Sequence, residues 1–250
     1  MNGPSNAATL ARAEKLWKPG VALPPPAGGV IDLLGESFRP TLTQRMLDTA
    51  FTAWIYDRMR DGLAPATGMP DFASETRNLA ERLALAPGDV VLDVACGHGN
   101  FTVEIARRVG PTGLVVGLDI ARSMLARAAS RVRRAGQGNV LLVRADALAL
   151  PFRDAVFAKV NCSGGLHQMP DLPRALSEMA RVTEPGGRFT GSGFGRSGAD
   201  EGGLRGWLRR RLALHVVPLE RLARTTREAG FTDVDAELGG PVGYTWGRRS

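Results

Sequence analysis

The stretch VVLDVACGHGNFTVEIARRV at residues 90–109 constrains this chain more than any other part of it. An apolar strand at 90–94 runs into a glycine turn, and the turn opens an amphipathic helix with Phe101, Ile105 and Val109 on one face. A second apolar strand at 114–118 follows and closes on an acid, Asp119. A unit of this kind holds a nucleotide-type ligand at the carboxyl ends of a parallel sheet. Gly97 and Gly99 let the backbone come close, and the new helix turns free N–H groups toward the ligand. An acid closing the second strand can take both hydroxyls of a ribose. The turn is not a dinucleotide fingerprint, because Thr102 stands where the third glycine would be. Asp93, just before the turn, adds a negative charge suited to an amino or sulfonium group.

From Asp89 onward strands and helices alternate, as they do in a parallel sheet with crossover helices. Further strands are read at 140–143, 155–160 and 188–192. A helix at 122–134 turns Met124, Leu125, Ala128 and Val132 inward, and one starting at Asp171 does the same with Leu172, Leu176, Met179 and Val182. A glycine-rich crossing at 192–215 is placed to act as a lid, and a helix at 219–229 and a strand pair at 231–238 and 242–246 close the chain. The domain proper is thus 89–250. Upstream, helical spacing at 41–60 and 72–85 makes 30–88 a helical cap that contributes to the substrate pocket. Residues 1–29 are rich in proline and glycine and read as a mobile tail with room for a short helix at 7–17.

Composition narrows the classes. A 250-residue chain with 44% hydrophobic content suits one domain with a full core. No apolar run approaches the roughly 20 residues of a membrane span. The first residues lack the order of a secretory leader, and Cys96 and Cys162 have no paired spacing, so a reducing cytoplasm is expected. Three histidines and two cysteines, none at ligand spacing, argue against a metal site. The net charge of +7 is almost all arginine, since Lys15, Lys18 and Lys159 are the only lysines. Clusters at Arg131, Arg133, Arg134 and at Arg209, Arg210, Arg211 carry no interleaved aromatic residues. They read as solvated helix faces rather than a nucleic-acid surface. Nothing in the sequence sets an oligomeric state.

The motifs VLDVACGHG, VVGLDIARSMLARA, VRADALALPF and GGLHQMPDLPRALSEMARVTEPGGRF, in this order, resemble the class I S-adenosylmethionine-dependent methyltransferases, within them the UbiE-like or methyltransferase domain 11 group. The resemblance extends upstream through FRPTLTQRMLDTAFTAWIYDRMRDGL. It implies an α/β, Rossmann-like sheet of seven strands with an antiparallel last strand, S-adenosylmethionine as cofactor and a small-molecule acceptor. It further implies that Asp93, Ala95, Cys96, Gly97 and Gly99 meet the methionine end of the cofactor and that Asp119 meets the ribose. Ile120 and Met124 would lie by the adenosine, Asp146 and Ala147 by the adenine, and Asn161 and Ser163 would line the cleft. Plainer readings compete: Asp93 as a turn cap, Asp119 as a helix cap, Asp146 as a loop acid. Two positions depart from the family pattern. Lys159 replaces the acid of the F-D-x-V segment, and Gly164-Gly165-Leu166-His167-Gln168 replaces A-x-x-L-H-H.

Methyl transfer from a sulfonium needs alignment and exclusion of water, and a base only where the acceptor must lose a proton. His167, after the fourth strand, is the base candidate, ahead of His98 in the turn and His215 near the last helix. Trp54, Tyr56 and Arg58 are substrate-pocket candidates on the upstream helix, with Phe194, Trp207 and Arg211 on the crossing. The acceptor atom is O, C or N, in a natural-product or quinone-like pathway. A macromolecule methyltransferase is disfavoured because Asn161-Cys162-Ser163-Gly164 stands where an Asn/Asp-Pro-Pro-Tyr tetrad would be. The altered wall at 164–168 keeps open a third class, a relative that binds the cofactor but catalyses a cyclisation or acts as a scaffold.

Overall fold

The computed structural model describes residues 4–35, 70–198 and 216–250, and the elements are numbered within them. In chain order they are α1 (Pro4–Ala13), β1 (Val30–Asp32), α2 (Phe72–Leu83), β2 (Val90–Val94), α3 (Asn100–Val109), β3 (Leu114–Asp119), α4 (Arg122–Arg134), β4 (Val140–Arg144) and β5 (Phe157–Cys162). Then come α5 (Leu172–Val182), β6 (Thr183–Arg196), β7 (Val217–Pro218), α6 (Leu219–Glu228), β8 (Phe231–Gly239) and β9 (Val242–Arg249). The helix expected at 41–60, most of the crossing at 192–215, and with them Trp54, Tyr56, Arg58, Trp207 and Arg211, lie outside the described residues.

The strands form one sheet in the order β1-β4-β3-β2-β5-β6-β9-β8, with the short β7 beside β6. Every pairing from β1 to β6 is parallel, and β9 runs antiparallel to both β6 and β8. Central strands of a parallel sheet are covered on both faces and are therefore apolar throughout; all six residues of β3 are buried. One face of the sheet packs Val91 and Val115 against Leu79 and Leu83 of α2 and Ile105 and Val109 of α3. On the other, Leu92, Val116 and Phe189 pack with Leu176 and Met179 of α5 and Leu222 of α6. This is the expected class I architecture, with the strand pair β8–β9 supplying the antiparallel end. To it the chain adds β1, an edge strand paired with β4, at the start of the stretch 30–88 that the sequence read as a helical cap. Among the described residues no helix is long and apolar enough to cross a membrane.

Two local expectations are corrected. The strand expected at 155–160 is displaced, because Ala155 sits at φ 52° and the chain is still turning there. Its N–H bonds the carbonyl of Arg181, and Asn161 falls inside β5 rather than past it. The second correction concerns the expected mobile tail. Ala13, Leu16 and Trp17 are buried in the main core, with the Trp17 ring 5.0 Å from that of Phe152. Thr9 donates to the carbonyl of Gly138, and Arg12 donates to those of Pro111, Thr112 and Gly113. The short helix that the sequence allowed at 7–17 is present as α1 and a 3-10 turn at Glu14–Leu16, and its apolar residues find their partners more than a hundred positions away.

Candidate functional site

Along the chain the strands step outward from β2 to β3, β4 and then return to β5 on the other side of β2. A reversal of this kind opens a crevice at the carboxyl ends of the two strands. Asp93 of β2 and Asn161 of β5 lie opposite each other there. Asp93 is 1% exposed, and each oxygen has a donor: Thr102 Oγ1 at 2.5 Å and Asn161 Nδ2 at 2.7 Å. Ser163 in turn donates to Asn161 Oδ1 at 2.8 Å. Burial raises the Asp93 carboxyl to about 6, aided by the charge of Asp119 and opposed by the two donors. Thr102 thus serves as a buried donor in the place of the third glycine. A carboxylate without a buried cation is costly, and this one stands at the mouth of the glycine turn.

The turn is left-handed at Ala95 (φ 53°), Gly97 (φ 54°) and Gly99 (φ 80°). The two glycines do different jobs. A Cβ at Gly97 would meet nothing within 4 Å, so that backbone faces open space, as a ligand cradle requires. A Cβ at Gly99 would lie 3.0 Å from the Cβ of Ala128, so Gly99 lets α4 come close. Asp119 closes β3, accepting from the N–H of Gly97 (2.8 Å) and of Ala121 (2.9 Å). The helix-cap reading of Asp119 is not met: the N-cap of α4 is Ala121, with no side-chain cap bond, and Asp119 accepts from the N–H of that residue rather than from one inside the helix. Cys96 is a packing thiol: burial, with Asp119 and Asp93 nearby, pushes it well above the usual thiol range.

On the outer side, Ile120 and Met124 are half-buried at the end of β3 and the start of α4. Ala147 is buried, and Asp146 accepts from the N–H of Leu148 at 2.9 Å, a local turn bond. Sequence reasoning missed two arginines here. Buried Arg144 donates to the carbonyl of Ile120 at 3.0 Å and to both oxygens of Asp32 at 3.2 Å, tying β1 to the rim. Arg131, read as a solvated face, donates to the carbonyl of His98 at 2.8 Å and contacts its Nδ1 at 2.6 Å. A guanidinium only donates, so His98 accepts there and is held as part of the turn.

His167 sits on a short 3-10 turn after β5, half-buried, its ring centroid 4.6 Å from that of Phe194. It lies over Gly193 of β6, where a Cβ would come within 3.0 Å of its Nδ1. Gly165 allows a second close approach, since its Cβ would lie 2.7 Å from that of Ala95. The departure at 164–168 thus packs the wall directly onto the cofactor turn. Lys159 is half-buried on β5, paired with Val91, two register positions before the Asp93–Asn161 pair.

The ubiE/COQ5 methyltransferase family model matches residues 40–199. A demethylmenaquinone methyltransferase from Geobacillus kaustophilus (strain HTA426) is 33% identical over 193 residues, covering 68% of this chain and 80% of that protein. Among solved structures, a SAM dependent methyltransferase from Aquifex aeolicus aligns with a TM-score of 0.60 at 18% identity, over 86% of this chain and 100% of that one. The [4+2]-cyclase SpnF aligns with a TM-score of 0.59 at 22% identity, over 70% of this chain and 80% of that one. At these identities the two structures establish the fold alone.

Proposed function

The chain belongs to the ubiE/COQ5 methyltransferase family, and from that premise we propose that it methylates the reduced, hydroquinone form of a small aromatic quinone in the cytoplasm. It is an S-adenosylmethionine-dependent methyltransferase with S-adenosylmethionine as its methyl donor. The observation that carries the acceptor is the relative named for demethylmenaquinone, matched over 80% of its length. Two free cysteines, Cys96 and Cys162, support the compartment. The cyclase or scaffold alternative is not favoured, because its support is a likeness of fold.

When bound, the donor supplies a methyl group on a cationic sulfur whose departure needs no proton. Asp93 would face the cationic amino-acid end, with the backbone of Ala95, Cys96, Gly97 and Gly99 along it. Asp119 would take the ribose hydroxyls, Ile120 and Met124 would flank the adenosine, and Asp146 and Ala147 would meet the adenine. Asn161 and Ser163 would close the cleft toward the acceptor. A quinone is electron-poor, whereas its hydroquinone becomes a nucleophile when a phenolic proton leaves, so this acceptor calls for a base. His167 would take that proton. Trp54, Tyr56, Arg58 and the 192–215 crossing would complete the acceptor side and exclude water.

The test is mass spectrometry of the purified protein with S-adenosylmethionine and an anaerobically reduced naphthohydroquinone. The expected result is a product heavier by one methyl group and an equal amount of S-adenosylhomocysteine. Binding of the demethylated cofactor without methylation of any hydroquinone would overturn the acceptor. Asp119→Ala is expected to weaken S-adenosylhomocysteine binding by about 1–3 kcal/mol, roughly 5–150-fold, by leaving the ribose unpaired. Calorimetry returning the wild-type affinity would remove Asp119 from the site.

A further inference from the structure

Lys159, which stands where the family pattern has an acid, belongs to a row of cations that crosses the sheet. On β5 it lies opposite Arg188 of β6, and Arg188 in turn lies opposite Arg248 of β9. Directly paired residues on neighbouring strands share a face. Here it is the face covered by α2, because Val91, which pairs with Lys159, packs against Leu79 and Leu83. Arg249, one residue on, turns to the other face, where its Nε donates to the carbonyl of Ala180 on α5. With strands about 4.8 Å apart, the three cations span about 10 Å. Like charges directly opposite each other destabilise a sheet, so packing alone gives no reason for the row.

Among the described residues no carboxylate pairs with any of the three, and the side chains of Lys159 and Arg248 make no hydrogen bond. Arg188 donates to the carbonyl of Arg82 at 3.1 Å, at the C-terminal end of α2. A guanidinium carries several donors, so most of its capacity remains. The acids on the same face of β8 are engaged. Glu237, opposite Tyr244, pairs with Arg82, and Asp235, opposite Trp246, accepts from the N–H of Ala236 at 2.8 Å. Arg82 also covers the Trp246 ring, 4.2 Å from its centroid. Lys159 and Arg188 are half-buried, and Arg248 is exposed.

We propose that the Lys159–Arg188–Arg248 row binds a soluble ligand carrying two or more phosphate groups. Phosphate oxygens accept from an ammonium and from guanidiniums together, and arginine meets them two bonds at a time. One phosphate bridges neighbouring cations, whereas a span of about 10 Å calls for a second. Other anions fit less well. A nucleic acid finds no stacking platform, because Arg82 already covers Trp246. A membrane surface is flat and meets the exposed Arg248, while Lys159 and Arg188 lie deeper, within reach of a small anion. The row is separate from the cofactor turn, since Lys159 lies two positions before Asn161 toward the start of β5.

The experiment is calorimetry of the full chain with inorganic pyrophosphate at low ionic strength. It compares wild type with Lys159→Gln, Arg248→Gln and, as a control for net charge, Arg108→Gln, an exposed cation in the last turn of α3. Wild type is expected to bind pyrophosphate, and inorganic phosphate about tenfold more weakly. Each row variant should lose about tenfold, one charge-assisted hydrogen bond, and the control less than about twofold. Without anion the row variants should melt higher than wild type, because a like-charge contact is gone. Saturating pyrophosphate should reverse that order, and S-adenosylhomocysteine should bind wild type equally with and without it. A wild type that does not bind pyrophosphate, or row variants that bind it as well as wild type, overturn the site. An equal loss in Arg108→Gln overturns it too, since net charge alone would then be acting. Competition with S-adenosylhomocysteine would put the anion on the cofactor turn instead. Row-dependent binding of phosphatidylglycerol vesicles or of a single-stranded oligonucleotide, without binding of pyrophosphate, would overturn the soluble ligand in favour of a membrane or a nucleic acid.

Discussion

Asp93→Asn is expected to make the protein more stable at pH 7 and at the same time to end its use of the cofactor. The carboxyl is raised from 3.8 to about 6, chiefly by burial, so the folded chain holds the proton more tightly than the unfolded one. Between those two values the folded state binds more protons, and this group's contribution to stability falls as pH rises from about 4 to 6, then stays level. At pH 7 the folded wild type carries a cost of roughly 3 kcal/mol, at about 1.4 kcal/mol per unit of pKa. Asparagine removes the charge and keeps the shape. The difference between variant and wild type in chemical denaturation should therefore be near zero at pH 4 and grow to about 1–3 kcal/mol in favour of the variant at pH 7. Cofactor binding should move the other way. Loss of one partner of a buried charge pair costs about 3–5 kcal/mol, so S-adenosylhomocysteine should bind at least ~100-fold more weakly. Wild-type binding should itself strengthen as pH rises through about 6, where Asp93 becomes the anion. A variant that binds as well as wild type would show that Asp93 serves the fold alone.

Trp17→Ala is expected to cost about 3–5 kcal/mol of stability, the range for removing a buried large aromatic side chain. The ring is 5% exposed and begins an aromatic chain, with Phe152 at 5.0 Å and Phe157 a further 5.0 Å on. Backbone ties surround it: the Trp17 carbonyl accepts from Arg153 Nε at 2.7 Å, and Lys18 N–H donates to the carbonyl of Pro151 at 3.0 Å. For a chain of this size the loss corresponds to roughly 10 °C in Tm, read by differential scanning calorimetry. Removal of residues 1–17 should cost at least as much. A change under about 2 °C in either case would mean that this segment packs without contributing to the fold.

Much of the architecture was legible because it is written locally. The bounds of β2 and α4 coincide with the stretches read from hydrophobic period, and the glycine turn between β2 and α3 stands where the sequence put it. The acids Asp93, Asp119 and Asp146 all fall at the carboxyl edge because each ends or follows an apolar strand. The start of β5 was misplaced because a left-handed Ala155 carries no marker in the sequence. Arg131 and Arg144 were missed because a carbonyl partner leaves no pattern for a residue type to reveal.

The sequence alone determined the alternation of strands and helices, the turn that can cradle a nucleotide-like ligand, and the family. Each depends on neighbours within a few residues, where period and backbone freedom act. Only the tertiary structure decided which acid is buried and by whom it is held. Asp93 meets Thr102 nine positions away and Asn161 sixty-eight away, and Tyr244 meets Glu75 across 169. These meetings follow from strand order and register, which place β5, β6 and β9 side by side and turn their polar residues to one face. A hydrophobic period says that a strand has two faces; the order of packing says what each face will touch.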